Sequence, residues 1–176
     1  MTAIAGIISE GKVYLGTDGM ISREDGFYSL TNVPKICVKG DFIIGCAGLL
    51  RFSQIIRHAF VPPKVKKDLD SYMCSSFSAA MRKCLAEHEF KDDDELGVEL
   101  LIGTQGKLFW MGKDGSAVQS TREYAAIGSG AFYSIGSLFT TAKVLGMTPE
   151  ERLIEALEAA VEHDCYVKPP FTILSL

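Results

Sequence analysis

The sequence predicts an α+β protein, specifically a four-layer α/β/β/α sandwich. Two observations support this fold class. Apolar runs rich in β-branched residues alternate with segments of helical apolar spacing, and the order along the chain is strands, two helices, strands, two helices and a final strand. Amphipathic helix pairs of this kind bury one face against the outer surfaces of two stacked sheets. The 176 residues contain no linker or internal repeat, so we expect a single domain over 1–176.

Two β-hairpins are predicted at the start of the chain. The run TAIAGIIS is joined to VYLGTDG by a glycine-bearing turn, which places Asp18 at the end of the second strand. The runs KICVKG and DFIIGCAG repeat this pattern around a turn at Gly40 and Asp41. The polar stretch SREDG separates the two hairpins.

Four helices and a β meander are predicted in the rest of the chain. Helical spacing runs over Leu49–Phe60, where two prolines end it, and again from Leu69 to about Glu89. After the acidic run KDDDE come the strands GVELLIGT, KLFWMGK, SAVQS and YAAIGSG. Helices from about Ala131 to Leu145 and from Pro149, which opens with the capping box TPEE, precede a last strand, FTILSL.

Composition excludes several classes of function. A net charge of −4 and a pI of about 5.4 argue against a nucleic-acid partner. No apolar run is long enough to span a membrane and the N-terminus does not read as a signal peptide, so we expect a cytoplasmic protein. Five cysteines without CxxC spacing and three isolated histidines indicate neither a metal site nor a cofactor.

Several segments, in order, resemble one enzyme family. TAIAGIISEGKVYLGTDG resembles the start of proteasome β subunits and of the bacterial peptidase HslV, N-terminal nucleophile (Ntn) hydrolases whose mature chains begin with a catalytic threonine. NVPKI resembles the family's lysine-bearing strand, IIGCAG its AGxAG-like segment, YAAIGSG its AIGSG segment, and AAVEHD a late helix end that carries an aspartate. The resemblance covers nearly the whole chain and is most marked for the compact proteasome-like proteins of phages and bacteria.

This resemblance implies a threonine-type peptidase. Removal of Met1 would free Thr2, whose hydroxyl attacks a peptide carbonyl while its own amine, with an ordinary pKa of about 7.7–8.0, accepts the proton. The Lys35 ammonium, held by Asp18, would favour the neutral amine and stabilise the developing alkoxide. The resemblance places the backbone N–H of Gly45 at the oxyanion.

The same resemblance implies further site residues and partners. Ser129 and Asp164 would orient the Thr2 amine and its water. The family also implies homo-oligomeric stacked rings, a peptide or unfolded protein as substrate, and an ATP-driven unfoldase as a possible partner. The pocket for the substrate side chain, with an apolar or neutral preference, would be lined by Met20, Ile43 and Ala47.

Two other functions stay open at this point. The chain could be a catalytically silent proteasome-like scaffold or assembly subunit, in which Met1 stays attached. It could also be a non-peptide amidase of the same superfamily. By itself, a threonine after the initiator methionine is most often a plain strand residue, and GSG at 128–130 is a common turn between a strand and a helix.

Overall fold

The computed structural model describes residues 1–22, 28–31, 33–66, 68–88 and 97–176. A π-helical stretch over Met73–Phe77 joins α2 to α3. In chain order the elements are β1 Ile4–Ser9, β2 Lys12–Thr17, β3 Met20–Ser22, β4 Tyr28–Leu30, β5 Ile36–Lys39, β6 Phe42–Gly48, α1 Leu50–His58, α2 Leu69–Tyr72, α3 Ser78–Glu87, β7 Val98–Thr104, β8 Lys107–Met111, β9 Ala117–Gln119, β10 Tyr124–Ile127, α4 Ala131–Thr141, α5 Pro149–His163 and β11 Thr172–Ser175.

Two antiparallel sheets form the inner layers. One has the strand order β10-β1-β2-β11 and the other β5-β6-β7-β8-β9, while β3 and β4 pair separately. Apolar residues of both sheets, among them Ile4, Leu15, Ile43 and Leu101, form a cluster between them. This arrangement follows from the period-two alternation of strand side chains, which gives each sheet one face for its partner sheet.

The helices cover the two outer faces. Apolar residues of α4 and α5 pack on β1 and β10, and those of α1 and the helical segment 69–87 pack on β5 to β8. The layers are therefore α4 and α5, the first sheet, the second sheet, and α1 with α3. The predicted fold class is confirmed.

The helix ends differ from the sequence prediction by a few residues. Helix α1 ends at His58 and not at Phe60, with Ala59 as its C-cap. Helix α4 ends at Thr141, four residues before the predicted end, because tighter i to i+3 bonds follow, such as Lys143 N–H to Thr140 O. The run KDDDE and Glu89 lie outside the described residues, as does most of SREDG.

The N-terminus and two turns lie at one end of the first sheet. Ile4 pairs with Thr17 on one side and with Ile127 on the other. Residues 2–3, residue 18 and residues 128–129 therefore follow their strands toward the same edge. Lys35 immediately precedes β5 of the second sheet. The fold thus brings four separate sequence segments to one place.

Candidate functional site

Thr2 lies just before β1 and is only 4% exposed. Its backbone N–H donates a hydrogen bond to Oγ of Ser129 at 3.2 Å, and the N–H of Gly130 donates to the Thr2 carbonyl at 3.2 Å. Gly128 has a φ of +87°, and a Cβ there would come within 2.2 Å of the Thr2 carbonyl oxygen. The turn 128–130 therefore fixes the backbone of Thr2, and it requires glycine at 128 to approach so closely.

The Thr2 hydroxyl is bonded to the backbone of the preceding residue. Its Oγ1 donates a hydrogen bond to the carbonyl oxygen of Met1 at 2.6 Å, and Thr2 and Met1 both line a pocket. The pKa of the Met1 amine is lowered, first by burial and then by the charge of Lys35, while Asp18 and Asp164 act in the opposite direction. Burial and Lys35 together outweigh the two carboxylates, so the charged form of the Met1 amine is disfavoured.

Asp18 and Lys35 form a buried ion pair beside Thr2. The Lys35 Nζ lies 2.6 Å from Oδ1 of Asp18, and the Asp18 side chain has no exposed surface. The same Oδ1 accepts the N–H of Ala3 at 3.0 Å, and Oδ2 accepts the N–H of Met20 at 3.0 Å. Three donors therefore satisfy this carboxylate, as a buried charge requires.

The electrostatic state of Lys35 is set by opposing effects. Burial is the largest and lowers the pKa of its ammonium, whereas Asp18 and then Asp164 raise it. The result is a lysine that binds its proton less tightly than it would in water. Such a group can stabilise negative charge nearby without a shell of competing solvent.

A pocket of about 900 Å³ opens at Thr2 and Lys35. Its wall combines the β2–β3 region, the end of β6 and the start of α1. It is large enough to take a substrate side chain. The residues that line it beside Thr2 and Lys35 include Met20, Cys46, Gly48, Leu49, Leu50 and Ser53.

Of the predicted pocket residues, the structure brings only Met20 into this wall. Ile43 and Ala47 instead belong to the cluster between the two sheets. The physical reason is the alternation of side chains along β6, which turns the odd-numbered positions toward the other sheet and the even-numbered positions Cys46 and Gly48 toward the pocket. The resemblance identified the correct strand but the opposite face.

Gly45 also lies on the face of β6 that meets the other sheet. A Cβ at this position would come within 2.8 Å of Cγ2 of Ile4, inside the core. Gly45 pairs with Leu101 of β7, and the register alternates so that its N–H points to that neighbouring strand. The structure therefore does not bring the Gly45 N–H to the pocket.

Gly48, and not Gly45, is the glycine of β6 that lines the pocket. The N–H of Cys46 donates to the carbonyl of Lys35 at 2.9 Å, so even-numbered residues of β6 point their N–H groups toward β5. Gly48 lies two residues beyond Cys46, past the last pairing with that strand, and it lines the pocket. By the same alternation we expect its N–H to point to the side of Cys46 N–H, at the pocket. The alternation within FIIGCAG is the sequence signal that could have distinguished the two glycines.

Ser129 and Asp164 differ in how they interact with Thr2 and its neighbours. Ser129 contacts Thr2 directly, and its Oγ lies 3.4 Å from the Thr2 carbonyl oxygen as well. Asp164 is the C-cap of α5, where its Oδ1 accepts the N–H of Tyr166 at 2.9 Å. It is half-buried, and its charge affects the pKa of Lys35. Asp164 therefore influences the site by its charge, while its backbone N–H caps α5 and its side chain stabilises the turn that follows.

The described ranges contain neither a candidate metal site nor a candidate membrane span. No three His, Cys, Asp or Glu side chains there lie together as a metal site would need. No helix in those ranges has the length and apolar character to cross a membrane.

Comparison with known proteins identifies the fold. No protein-family model matches the sequence. The structure of Thiobacillus denitrificans BPH, a bacterial proteasome homologue, in complex with epoxomicin has a TM-score of 0.82 and 18% identity, over 99% of this chain and 98% of that one. The chain has the proteasome-like Ntn hydrolase fold. HslV from Trypanosoma brucei has a TM-score of 0.71 and 16% identity over 99% of both chains, and an Anbu mutant from Hyphomicrobium has 0.69 and 15%, over 100% of this chain and 82% of that one.

The proteasome-like Ntn hydrolase fold spans the whole chain in these comparisons. This confirms the resemblance at the level of the fold. The three proteins are each less than 20% identical to this chain. The assignment of the site residues therefore rests on the contacts and distances described above and not on sequence identity to these proteins.

Proposed function

We propose that this chain is a threonine-type peptidase in which Thr2, once Met1 has been removed, is the nucleophile. The observation that supports this most directly is the position of Thr2, which is buried, fixed by Ser129 and next to the Lys35–Asp18 ion pair at the end of a pocket. A threonine hydroxyl needs a base, and the α-amine of the same residue supplies one.

The reaction is an acyl transfer in two steps. Thr2 Oγ1 attacks the peptide carbonyl carbon, and its proton passes to the Thr2 amine directly or through a water molecule. The tetrahedral intermediate collapses, the C–N bond breaks, and the departing amine takes that proton. Water then attacks the ester, with the amine again as base, and releases a carboxylic acid and free Thr2.

Gly48 supplies the oxyanion donor in this proposal, in place of Gly45. It lines the pocket, strand alternation predicts that its N–H points there, and it lacks a side chain that would obstruct the substrate carbonyl. Removing one such donor in other hydrolases reduces kcat by about 100-fold to 1000-fold. A fixed backbone N–H here would therefore provide a large share of the rate.

Lys35 and Asp18 control whether the Thr2 amine is protonated. The Lys35 ammonium lowers the pKa of a nearby amine by charge repulsion, as it does for the Met1 amine, where burial is the larger cause. It also stabilises the alkoxide that develops on Oγ1. Asp18 holds the ammonium in place, and Ser129 and Asp164 orient the amine and its water.

The substrate in this proposal is a peptide or unfolded protein with an apolar or neutral side chain next to the cleaved bond. Met20, Cys46, Leu50 and Ser53 form an uncharged part of the pocket wall, and the Lys35 ammonium, which also lines the pocket, is already paired with Asp18. A charged substrate side chain against the uncharged wall would lose hydration without a free counter-ion beside it. Fluorogenic peptides that differ only at this position would measure the preference.

The proposal is tested with epoxomicin and with Thr2→Ala. Incubation with epoxomicin should add its mass to the N-terminal peptide that starts at Thr2, and fluorogenic peptides should be hydrolysed. Thr2→Ala should show neither reaction and keep its fold by circular dichroism. The Thr2 amine must be neutral to accept the proton, and we expect burial and Lys35 to lower its pKa as they lower that of the Met1 amine. The rate should therefore rise with pH and be half-maximal below the ordinary amine pKa of about 7.7–8.0.

The same experiment separates the two other functions. Full retention of Met1 in the native host, with no epoxomicin adduct, would contradict the peptidase and support the scaffold. Hydrolysis of small amides but not of peptides would support the non-peptide amidase. Undiminished peptide hydrolysis by Thr2→Ala would show that Thr2 is not the nucleophile.

A further inference from the structure

Lys35 lies at the start of a strand whose outer side lacks a neighbouring strand. In the part of the chain that the structure describes, β5 is at the edge of its sheet. The Lys35 carbonyl points inward, where it accepts the N–H of Cys46. Strand groups alternate in direction, so the carbonyls of Pro34 and Ile36 on either side of Lys35 point outward. Each is a strong acceptor that needs a partner.

Arg57 supplies that partner for both carbonyls. One amino group of its guanidinium, Nη2, donates to the carbonyl oxygen of Ile36 at 2.8 Å and also to that of Pro34. Arg57 lies on α1, one helical turn after Ser53, which lines the pocket. Another hydrogen bond joins β5 to α1: Nζ of Lys39 donates to the Arg57 carbonyl oxygen at 2.9 Å.

We propose that Arg57 is a positioning residue for Lys35, an inference that rests on the proposed function. The three consecutive carbonyls of residues 34–36 are all bonded, two of them to this one side chain. The backbone from which the Lys35 side chain extends toward Asp18 and Thr2 is thereby fixed at the sheet edge.

Arg57 acts in this proposal through position and not through charge. The charges that influence the pKa of Lys35 are those of Asp18 and Asp164, after the larger effect of burial. Asp18 holds only the end of the lysine side chain, and the other end is anchored by its backbone. A displacement of about 1 Å at a catalytic group can reduce the rate about 100-fold, so a loosened strand edge has a large kinetic effect.

The test is Arg57→Met in protein from which Met1 has been removed, with Arg51→Met in the same protein as the matched control. Arg51 lies on the same helix and is exposed. We expect Arg57→Met to lower kcat about 10-fold to 100-fold with little change in KM, and Arg51→Met to behave as the unmodified protein. Arg57→Lys should recover part of the lost kcat, because its ammonium can still donate to a carbonyl at the strand edge.

The pH profile distinguishes positioning from a loss of stability. If the Lys35 ammonium moves away from the Thr2 amine, the pKa of that amine rises, and the rising limb of kcat moves to higher pH. Unfolding of part of the sample would lower kcat equally at every pH. An unchanged profile and an unchanged kcat per folded molecule in Arg57→Met would overturn the inference, as would an equal effect of Arg51→Met.

A second measurement keeps this inference separate from the proposed function. Failure of the unmodified protein to hydrolyse peptides or to react with epoxomicin would overturn the peptidase alone. In that case the pKa of Lys35 is followed by NMR in lysine-labelled protein, with the signal assigned from Lys35→Arg. Arg57→Met should raise the pKa toward its ordinary value, because the ammonium gains water. An unchanged pKa would show that Arg57 does not position Lys35.

Discussion

Asp18 is the residue on which the candidate site depends most. Its carboxylate accepts from Lys35 and from the backbone N–H groups of Ala3 and Met20. This one buried group therefore binds Ala3, which follows Thr2, as well as Lys35 and Met20 of the pocket wall. A buried ion pair of this kind is weak evidence for added stability, yet removing one partner is costly because the other charge stays buried.

Asp18→Asn should strongly destabilise the protein. The amide presents an NH₂ group where the carboxylate accepted bonds, and it leaves the Lys35 ammonium buried without a counter-ion. We expect the free energy of unfolding to fall by about 3–5 kcal/mol, measured by urea denaturation.

Two variants control for this effect. The exposed Asp41 lies in a turn, so Asp41→Asn should change the free energy of unfolding by no more than about 0.5 kcal/mol. The double variant Asp18→Asn with Lys35→Met should lose less than Asp18→Asn alone, because no charge is then left unpaired. A purely additive result would contradict the coupling of the two residues.

At the scale of single elements, the alternation along β6 determines which of its residues line the pocket. One face of this strand packs against the first sheet and contains Ile43 and Gly45, and the other contributes Cys46 and Gly48 to the pocket. A shift of one residue exchanges every position between the two faces. The resemblance to the AGxAG-like segment could identify the strand but not the side of it that faces the site.

Gly45→Ala and Gly48→Ala form a matched pair that tests this assignment. At Gly45 the added Cβ would lie 2.8 Å from Ile4, so we expect overpacking to lower the free energy of unfolding by about 1–3 kcal/mol. At Gly48, with a φ of +139°, the added Cβ would lie 2.7 Å from the Gly97 carbonyl oxygen and displace the N–H at the site.

Kinetics then decide between the two glycines. We expect Gly48→Ala to lower kcat about 100-fold and Gly45→Ala to retain most of the activity per folded molecule. The reverse pattern would return the oxyanion donor to Gly45.

At the scale of the whole molecule, α4 and the turn after it present large apolar side chains to solvent. Phe132 is 86% exposed and Leu145 is 97% exposed, with Phe139 about half exposed between them. Exposed apolar groups in one region are typical of a surface that contacts another protein. This observation is consistent with the homo-oligomer that the resemblance implies.

We expect the purified protein to sediment as an assembly of several 19.2 kDa chains. Sedimentation velocity over a range of protein concentrations measures this directly. Phe132→Ser with Leu145→Ser should weaken the assembly without loss of folded structure, whereas Val61→Ser, at another exposed apolar position, should not. A monomer at all concentrations would contradict the ring prediction.

The sequence by itself determined the order and type of the main elements, but not the short pair β3 and β4, and it predicted several candidate site residues. Apolar periodicity, two prolines after α1 and the capping box at Thr148 are local signals, because they depend on residues a few positions apart. The end of a strand at Asp18 and the turn at 128–130 could be predicted in the same way. The family resemblance then linked these separate positions to one reaction.

Only the tertiary structure decided which faces and edges meet at the site. It placed Gly48 and Cys46 in the pocket in place of Gly45, Ile43 and Ala47. It also placed Arg57 against the carbonyls on either side of Lys35. These contacts join residues of different elements, and the lowered pKa of Lys35 comes from burial that both sheets create together. Local sequence signals contain no information on such long-range packing, because it is set by how the layers stack.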